Sequence, residues 1–279
     1  MANHISVVMA VHNRVANVDM ALQSWALQTY KDFHVVVADD GSTENVEGLI
    51  KRYGRIMEIY YKRVGEKPKG CAAALNAGVG TVHGRTTHIW FTDGDIVFNS
   101  SAMGHAYQDL LNYPGRVITG RYDWMPAMKI TASDLKYRFA KFVNCQLPRV
   151  GLERDMEKQP DHRVKLARPG TNWFDHNLLD NCKAVLGASV IIPVKAWWDV
   201  EGWDEHIPGA NANDCDFGWC LTDAGYKLLT CEKIIGYHQW HKRDAKFLSQ
   251  YKVSLPYIFR KHGQPVPDEY KQYDTESVE

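Results

Sequence analysis

Asp93, Gly94 and Asp95 directly follow an apolar run at residues 87–92. An apolar run that stops abruptly at acids is the pattern of a buried strand leaving a sheet. That carboxyl edge is where open α/β sheets bind ligands. Two acids on a tight, glycine-containing turn can hold a hard divalent cation through oxygen, and such a cation can hold a diphosphate. An Asp-x-Asp by itself is also common turn chemistry. A second acidic turn, Asp39-Asp40-Gly41-Ser42-Thr43, closes another apolar run upstream.

Positioning these turns requires alternating strands and helices, and the first half of the chain supplies the pattern. Residues 5–11 read as a buried strand, and residues 15–28 as an amphipathic helix with Val18, Leu22, Trp25 and Ala26 on one face. Residues 33–38 form a second strand, followed by a helix to residue 53 with Ser42 or Thr43 as its N-cap. A third strand is expected at 56–60, an Ala-rich helix at 70–79 and a fourth strand at 87–92. This alternation implies parallel pairing and a layered sheet, with Asp40 and the Asp93/Asp95 pair on one edge. A later strand is expected at 184–193, a helix from Asn213, a last strand at 227–235, and an apolar-periodic tail interrupted by Pro256. From 122 to 181 the pattern breaks, which predicts an inserted lobe, partly helical near 133–143.

The bulk numbers bound the function. The 279 residues are 45% hydrophobic, enough for one large α/β domain. Lys+Arg and Asp+Glu balance at 33 each, so no global field draws the chain to nucleic acid or membrane. Across residues 121–168, however, 11 Lys/Arg stand against 6 Asp/Glu, a local excess of 5. No basic-then-apolar leader and no apolar run of membrane-spanning length is visible. The six cysteines lack a CxxC pair, so a reducing, cytoplasmic setting is expected.

Five motifs occur in a fixed order: Ala10-Val11-His12-Asn13, then Ala38 to Thr43, then Gly70 to Gly78 with Asn76, then Asp93-Gly94-Asp95, and finally Gly202-Trp203-Asp204-Glu205 before Asn213-Asp214-Cys215-Asp216. Together they resemble the family 2 glycosyltransferases with the GT-A fold. The resemblance implies an α/β fold of GT-A type: a single Rossmann-like mixed sheet flanked by helices, with the insertion at about 121–182 as an acceptor-side lobe. It also implies a transferase domain over 1–241 and a helical tail over 242–279. The activity implied is transfer of a sugar from a nucleotide diphosphate sugar, expected to be a UDP-sugar, to a hydroxyl acceptor. By matching positions, Val11, Asp40 and Asp93 would meet the nucleotide, Asp95 and His238 would hold the metal with Asp93 close by, and Asp214 would be the general base. Trp203 is the candidate for stacking on a sugar, and Asn213 stands where the family usually has Glu beside the base. Leu75 replaces the family's basic residue before Asn76, with Lys67 or Lys69 as substitutes for the charge.

A carboxylate that accepts the acceptor's proton and a cation that stabilises a diphosphate leaving group suit this chemistry. One base acting opposite the leaving group predicts inversion. Mixed imidazole and carboxylate ligation favours Mn²⁺, with Mg²⁺ as the alternative.

Blander readings stand beside these. Asp39 reads as a turn residue and Asp216 as a helix N-terminal acid. The tryptophans are mostly core. His241, at i+3 from His238, is balanced between ligand and packing residue. The acceptor is a glycan, a lipid-linked group or another hydroxyl. The basic excess favours an anionic one, and modified nucleic acid stays open. The competing functions are a nucleotidyltransferase, for which a Gly-rich loop after the first strand is missing, and a non-catalytic nucleotide-sugar-binding module.

Overall fold

The computed structural model describes residues 3–124, 178–179, 185, 187–207, 212–239, 241 and 247–274. Most of the expected insertion, including the helix near 133–143, lies outside the described residues, as does Trp240.

The elements run β1 (Ile5–Val11), α1 (Val15–Ala26), β2 (Phe33–Asp39), α2 (Val46–Tyr53), β3 (Ile59–Arg63), α3 (Cys71–Val79), β4 (His88–Asp93), β5 (Ile96–Phe98), α4 (Ala102–Asn112) and β6 (Val117–Trp124). After the lobe come β7 (Leu178–Leu179), β8 (Val190–Pro193), α5 (Val194–Asp199), α6 (Asn213–Asp223), β9 (Leu228–His238), α7 (Phe247–Lys261) and α8 (Asp268–Lys271). They build one sheet in the order β3-β2-β1-β4-β8-β6-β9-β5, with β7 paired to β9.

The first four strands are parallel, as their alternation with helices requires. Their register sets Val11 beside Asp39 and Ala10 beside Asp93, so both acidic turns leave the sheet at the same edge. The pattern then turns mixed. β8 runs antiparallel to both β4 and β6, while β6 and β9 are parallel. β5 pairs antiparallel with β9, and Ile96 lies beside His238. That pairing carries His238 back to the Asp95 turn from far along the chain.

Side-chain alternation divides the interior into two layers. Val7, Met9, Val35 and Val37 face α1, α2 and α4, where Trp25 meets Trp90 at 5.1 Å and Phe98 at 4.8 Å between ring centroids. Val8, Val36, Ile89 and Phe91 face the other way, with Leu75, Trp203, Phe217 and Leu221. Each fully buried large side chain contributes roughly 1.5–3 kcal/mol.

Several boundaries differ from expectation. The α2 cap is Asn45, whose Oδ1 accepts from the Gly48 N–H at 2.9 Å. Ser42 and Thr43 instead bond Asn13 across the β1–α1 turn. The strand expected at 56–60 is β3, a few residues later, because a turn after Tyr53 occupies Ile56 and Met57. β8 is shorter than the run at 184–193: residues 187–189 form a turn. β5, α4 and β6 were not anticipated. α7 continues through Pro256 instead of breaking, with Leu255 and Ile258 buried against Ile207 and Ala212.

Candidate active site

Gly94 sets the geometry of the acidic turn. A Cβ there would lie 2.9 Å from Val11 Cγ2 and 3.3 Å from both Ala10 O and Val18 Cγ2. The glycine is needed for this close approach to β1 and α1. Its neighbours Asp93 and Asp95 are thereby held at the sheet edge. Burial, then the charges of Asp95 and Asp214, pushes the Asp93 carboxyl up to about 7.

Asp95 is buried and gathers three cationic or imidazole groups. His241 Nε2 lies 3.1 Å from its Oδ2, Arg14 Nη1 3.1 Å from the same oxygen, and His238 Nε2 3.8 Å from Oδ1. Burial alone would raise the Asp95 carboxyl. The His241 hydrogen bond and the charges of His238, His241 and Arg14 outweigh it and hold the carboxyl below its usual range. Burial lowers His238 despite Asp95, so its ring is neutral with a lone pair available at neutral pH. Its Nδ1 faces the Gln239 carbonyl at 3.0 Å, an outer contact of the kind that orients metal-ligating imidazoles. Ligand atoms of Asp95, His238 and His241 all lie within 4.8 Å of one another, and Asp95 Oδ1 has no hydrogen-bond partner. This oxygen-and-imidazole set fits Mn²⁺ or a similar divalent ion. Both histidines join Asp95, including His241, whose role the sequence left balanced.

The β1–α1 turn carries a feature that the sequence did not reveal. Asn13 and Arg14 both have left-handed backbones, at φ 55° and φ 57°. Non-glycine residues adopt this conformation at a cost, and here neighbouring bonds offset it. Asn13 Oδ1 accepts from the Thr43 and Glu44 N–H groups, and the Glu44 carboxylate accepts from the Arg14 and Val15 N–H groups at the start of α1. The turn aims the Arg14 guanidinium at Asp95.

The residues expected at the nucleotide are grouped, with different partners. Val11 is buried at the end of β1, and its carbonyl accepts from the Asp40 N–H at 2.8 Å. The Asp40 carboxylate accepts from Lys69 N at 2.7 Å and Gly70 N at 2.9 Å, which ties the second acidic turn to the start of α3. The Lys67 and Lys69 side chains are exposed, and Leu75 is core. Asp39 behaves as a turn residue: Oδ1 accepts from Ser42 N, and Oδ2 from the Tyr61 hydroxyl and Arg63. Asp93, Asp40, Asp214 and Asp95 all act electrostatically on Cys71 at the start of α3. After burial itself, their charges raise its thiol well above the usual value. Four of the predicted acids therefore lie within electrostatic reach of one thiol.

Asp214 lies in the first turn of α6 and is partly exposed, with its Oδ1 accepting from Cys215 N at 2.9 Å. Asn213 beside it is 7% exposed, and neither amide atom has a hydrogen-bond partner. Trp203 corrects one expectation. It is 3% exposed, stacked on Phe217 at 4.0 Å and edge-on to Phe91 at 5.3 Å. Its ring is part of the core and offers no open platform for a sugar. The indole Cη2 and Asp214 Cβ both flank Gly187, so Trp203 packs close to the start of α6.

Two clamps hold this segment. Asn76 on α3 bonds Trp203 on both sides of its backbone, donating to its carbonyl at 2.8 Å and accepting from its N–H at 2.9 Å. Lys261 on α7 bridges Asp204 Oδ2 at 2.8 Å and Asp216 Oδ2 at 2.9 Å. His262 Nε2 faces the other Asp216 oxygen at 3.0 Å, and Tyr257 donates to Asp204. Burial opposes the charge on Asp204, but Lys261, His206 and Tyr257 outweigh it and hold its carboxyl well below the usual range. Asp216 is therefore an ion-pair anchor, beyond the helix-terminal role expected of it. Arg14 and Lys261 carried no local sequence signal for these contacts, and Asn76 was marked only by its place in the helix motif.

Residues 6–134 match the model for glycosyl transferase family 2. A hyaluronan synthase from Pasteurella multocida is 24% identical over 92% of this chain and 28% of its own length. A validoxylamine A glucosyltransferase from Streptomyces hygroscopicus subsp. jinggangensis is 23% identical over 95% of this chain and 62% of its own. The chain thus spans about a quarter to under two thirds of these relatives. Solved structures that share the fold include two with bound nucleotide sugar. S. aureus TarS 1-349 in complex with UDP-GlcNAc has a TM-score of 0.63 at 14% identity, covering 99% of this chain and 71% of that one. The mannosyltransferase PcManGT from Pyrobaculum calidifontis, in complex with GDP-Man and Mn²⁺, has a TM-score of 0.62 at 15% identity, covering 100% and 70%.

Proposed function

We propose, from the match of residues 6–134 to the model for glycosyl transferase family 2, that this chain is an inverting, metal-dependent glycosyltransferase that takes a sugar from a UDP-sugar. The observation that carries this reading is the convergence of Asp93, Asp95 and Asp214 with His238 and His241 at the carboxyl edge of the sheet. Asp95, His238 and His241 would hold the divalent cation, which supplies positive charge to the departing diphosphate when bound.

The chain's own residues do the rest. The Asp214 carboxylate accepts the proton of the acceptor hydroxyl. The new bond forms from that oxygen to the anomeric carbon as the bond to the diphosphate oxygen breaks, so nucleoside diphosphate leaves. Attack from the face opposite the leaving group inverts the centre. Val11, Asp40 and Asp93 line the nucleotide side, with Asp40 also fixing the Lys69–Gly70 turn. Arg14, anchored on Asp95, is a second cation within reach of a diphosphate. Asn213, with a buried and unpartnered amide, flanks the acceptor side. The transferase unit occupies 1–241, and the 242–279 tail braces it. The local basic excess at 121–168 supports an anionic acceptor, and the free cysteines among the described residues suit a reducing, cytoplasmic compartment.

The test is incubation of the protein with UDP- and GDP-sugars and Mn²⁺, followed by assay of released nucleoside diphosphate and of product stereochemistry. Release that is lost in Asp95→Ala and in Asp214→Asn supports the reading. Release of pyrophosphate would replace it with nucleotidyl transfer. Tight nucleotide binding without turnover of any donor would reduce it to a binding module.

A further inference from the structure

A second group of histidines lies at the opposite edge of the sheet, where β1 and β2 begin. The β1–β2 register pairs Ile5 with Phe33 and Ser6 with His34, which sets His4 beside Asp32. Alternation puts His4 and His34 on the face shared by Val8 and Val36, the face that α3 covers. His83, in the loop between α3 and β4, closes over them. His4 and His34 are buried.

Three imidazoles are thus packed together. His4 Nε2 faces His34 Nδ1 at 3.1 Å. Ring centroids are 4.0 Å apart for His34–His83 and 5.2 Å for His4–His83. One nitrogen from each ring lies within 4.8 Å of the other two. His34 Nε2 is buried without a hydrogen-bond partner, a costly arrangement for a polar atom. Outer carboxylates are already in place. Asp32 lies 3.3 Å from His4 Nδ1, Glu58 lies 3.1 Å from His83 Nε2, and Arg85 reaches both acids. A carboxylate on the far nitrogen is the usual companion of a metal-ligating histidine.

We propose that His4, His34 and His83 form a structural site for a divalent transition-metal ion, separate from the carboxyl edge, that joins the starts of β1 and β2 to the α3–β4 loop. Zinc–nitrogen bonds of about 2.0–2.1 Å place neighbouring ligand nitrogens roughly 3.4 Å apart in a tetrahedron. The His4–His34 separation of 3.1 Å is close to that, and rotation of the half-exposed His83 side chain closes the third position. An all-imidazole set suits Zn²⁺, Co²⁺ or Ni²⁺, whereas Mg²⁺ and Ca²⁺ prefer oxygen. The site does not depend on the transferase reading.

The experiment uses the full chain, stripped with chelator and dialysed against Zn²⁺ or Co²⁺. Wild type, Asp95→Ala, His83→Ala and the double variant Asp95→Ala/His83→Ala are compared by bound-metal content, Co²⁺ absorption and melting temperature. His83 is the partly exposed ligand and the one whose removal spares the strand interiors. Expected results are about one Zn²⁺ equivalent fewer in His83→Ala than in wild type, and Co²⁺ bands that persist in Asp95→Ala but vanish in the double variant. Zn²⁺ should raise the melting temperature of Asp95→Ala and leave that of the double variant unmoved, because binding only to the folded state raises apparent stability. Equal metal content and equal thermal shifts in wild type and His83→Ala would overturn the site. So would Co²⁺ bands that follow Asp95 instead of His83.

Discussion

The proposed donor side and the proposed acceptor side are held by different means. The proposed donor side is built from parallel strand ends, with Val11, Asp40, Asp93 and Asp95 all within the first 95 residues and fixed by register and backbone bonds. The acceptor side hangs on side-chain clamps between distant segments. Asn76 grips Trp203, and Lys261 ties Asp204 to Asp216. A strand end is placed by many cooperative hydrogen bonds. A clamped segment depends on a few ionic ones and on the helix that brings them. The donor side should therefore resist single substitutions better than the acceptor side, except at its chemistry-bearing acids.

The largest expected effect is at the base. Asp214→Asn should lower kcat by about 10²–10⁴-fold with donor KM and melting temperature nearly unchanged, measured by steady-state release of nucleoside diphosphate. Asp95→Ala should follow, with a loss of about 10²–10³-fold and a loss of metal dependence, because it removes the carboxylate that would hold the cation, and with it the positive charge offered to the leaving diphosphate. Lys261→Met separates the two sides. It removes a partly exposed ammonium shared by Asp204 and the buried Asp216 and should cost about 1–3 kcal/mol of stability by denaturant titration. The same variant should lower turnover while donor affinity stays, if the tail braces only the acceptor side. A matching fall in donor affinity would show that the two sides are not independent.

Smaller effects probe the donor side's packing and the sheet's far edge. Gly94→Ala forces a Cβ to within 2.9 Å of Val11 Cγ2 and should cost about 1–3 kcal/mol, with weaker nucleotide binding by calorimetry. The smallest concerns His88, whose imidazole burial pushes down to about 4 from 6.5. Between those values the unfolded chain binds a proton that the folded chain does not. The contribution is therefore full above pH 6.5 and is lost as pH falls toward 4, with a slope of at most about 1.4 kcal/mol per pH unit. His88→Gln should flatten the acid limb of the stability curve across that window.

Much of this was legible in the chain. Continuous apolar runs marked β1, β2 and β4, and the acids at the ends of β2 and β4 marked one ligand edge. Those signals are local, since a strand's pattern and its terminal turn lie within ten residues. The α2 cap escaped because Ser42 and Thr43 have a stronger use across the turn, bonding Asn13. Trp203 was misassigned because its neighbours in sequence are polar, while its neighbours in space are Phe91 and Phe217.

The sequence by itself determined the alternating α/β half, the acidic edge and the acid-led helix that begins at Asn213, because each is written in residues that are close along the chain. Only the tertiary structure decided that His241 and Arg14 meet Asp95, that Lys261 braces the acceptor side, and that three histidines gather at the far edge. Those contacts join segments separated by tens to hundreds of residues. No local pattern encodes which of many histidines, arginines or lysines the packed sheet and its covering helices bring within hydrogen-bond reach.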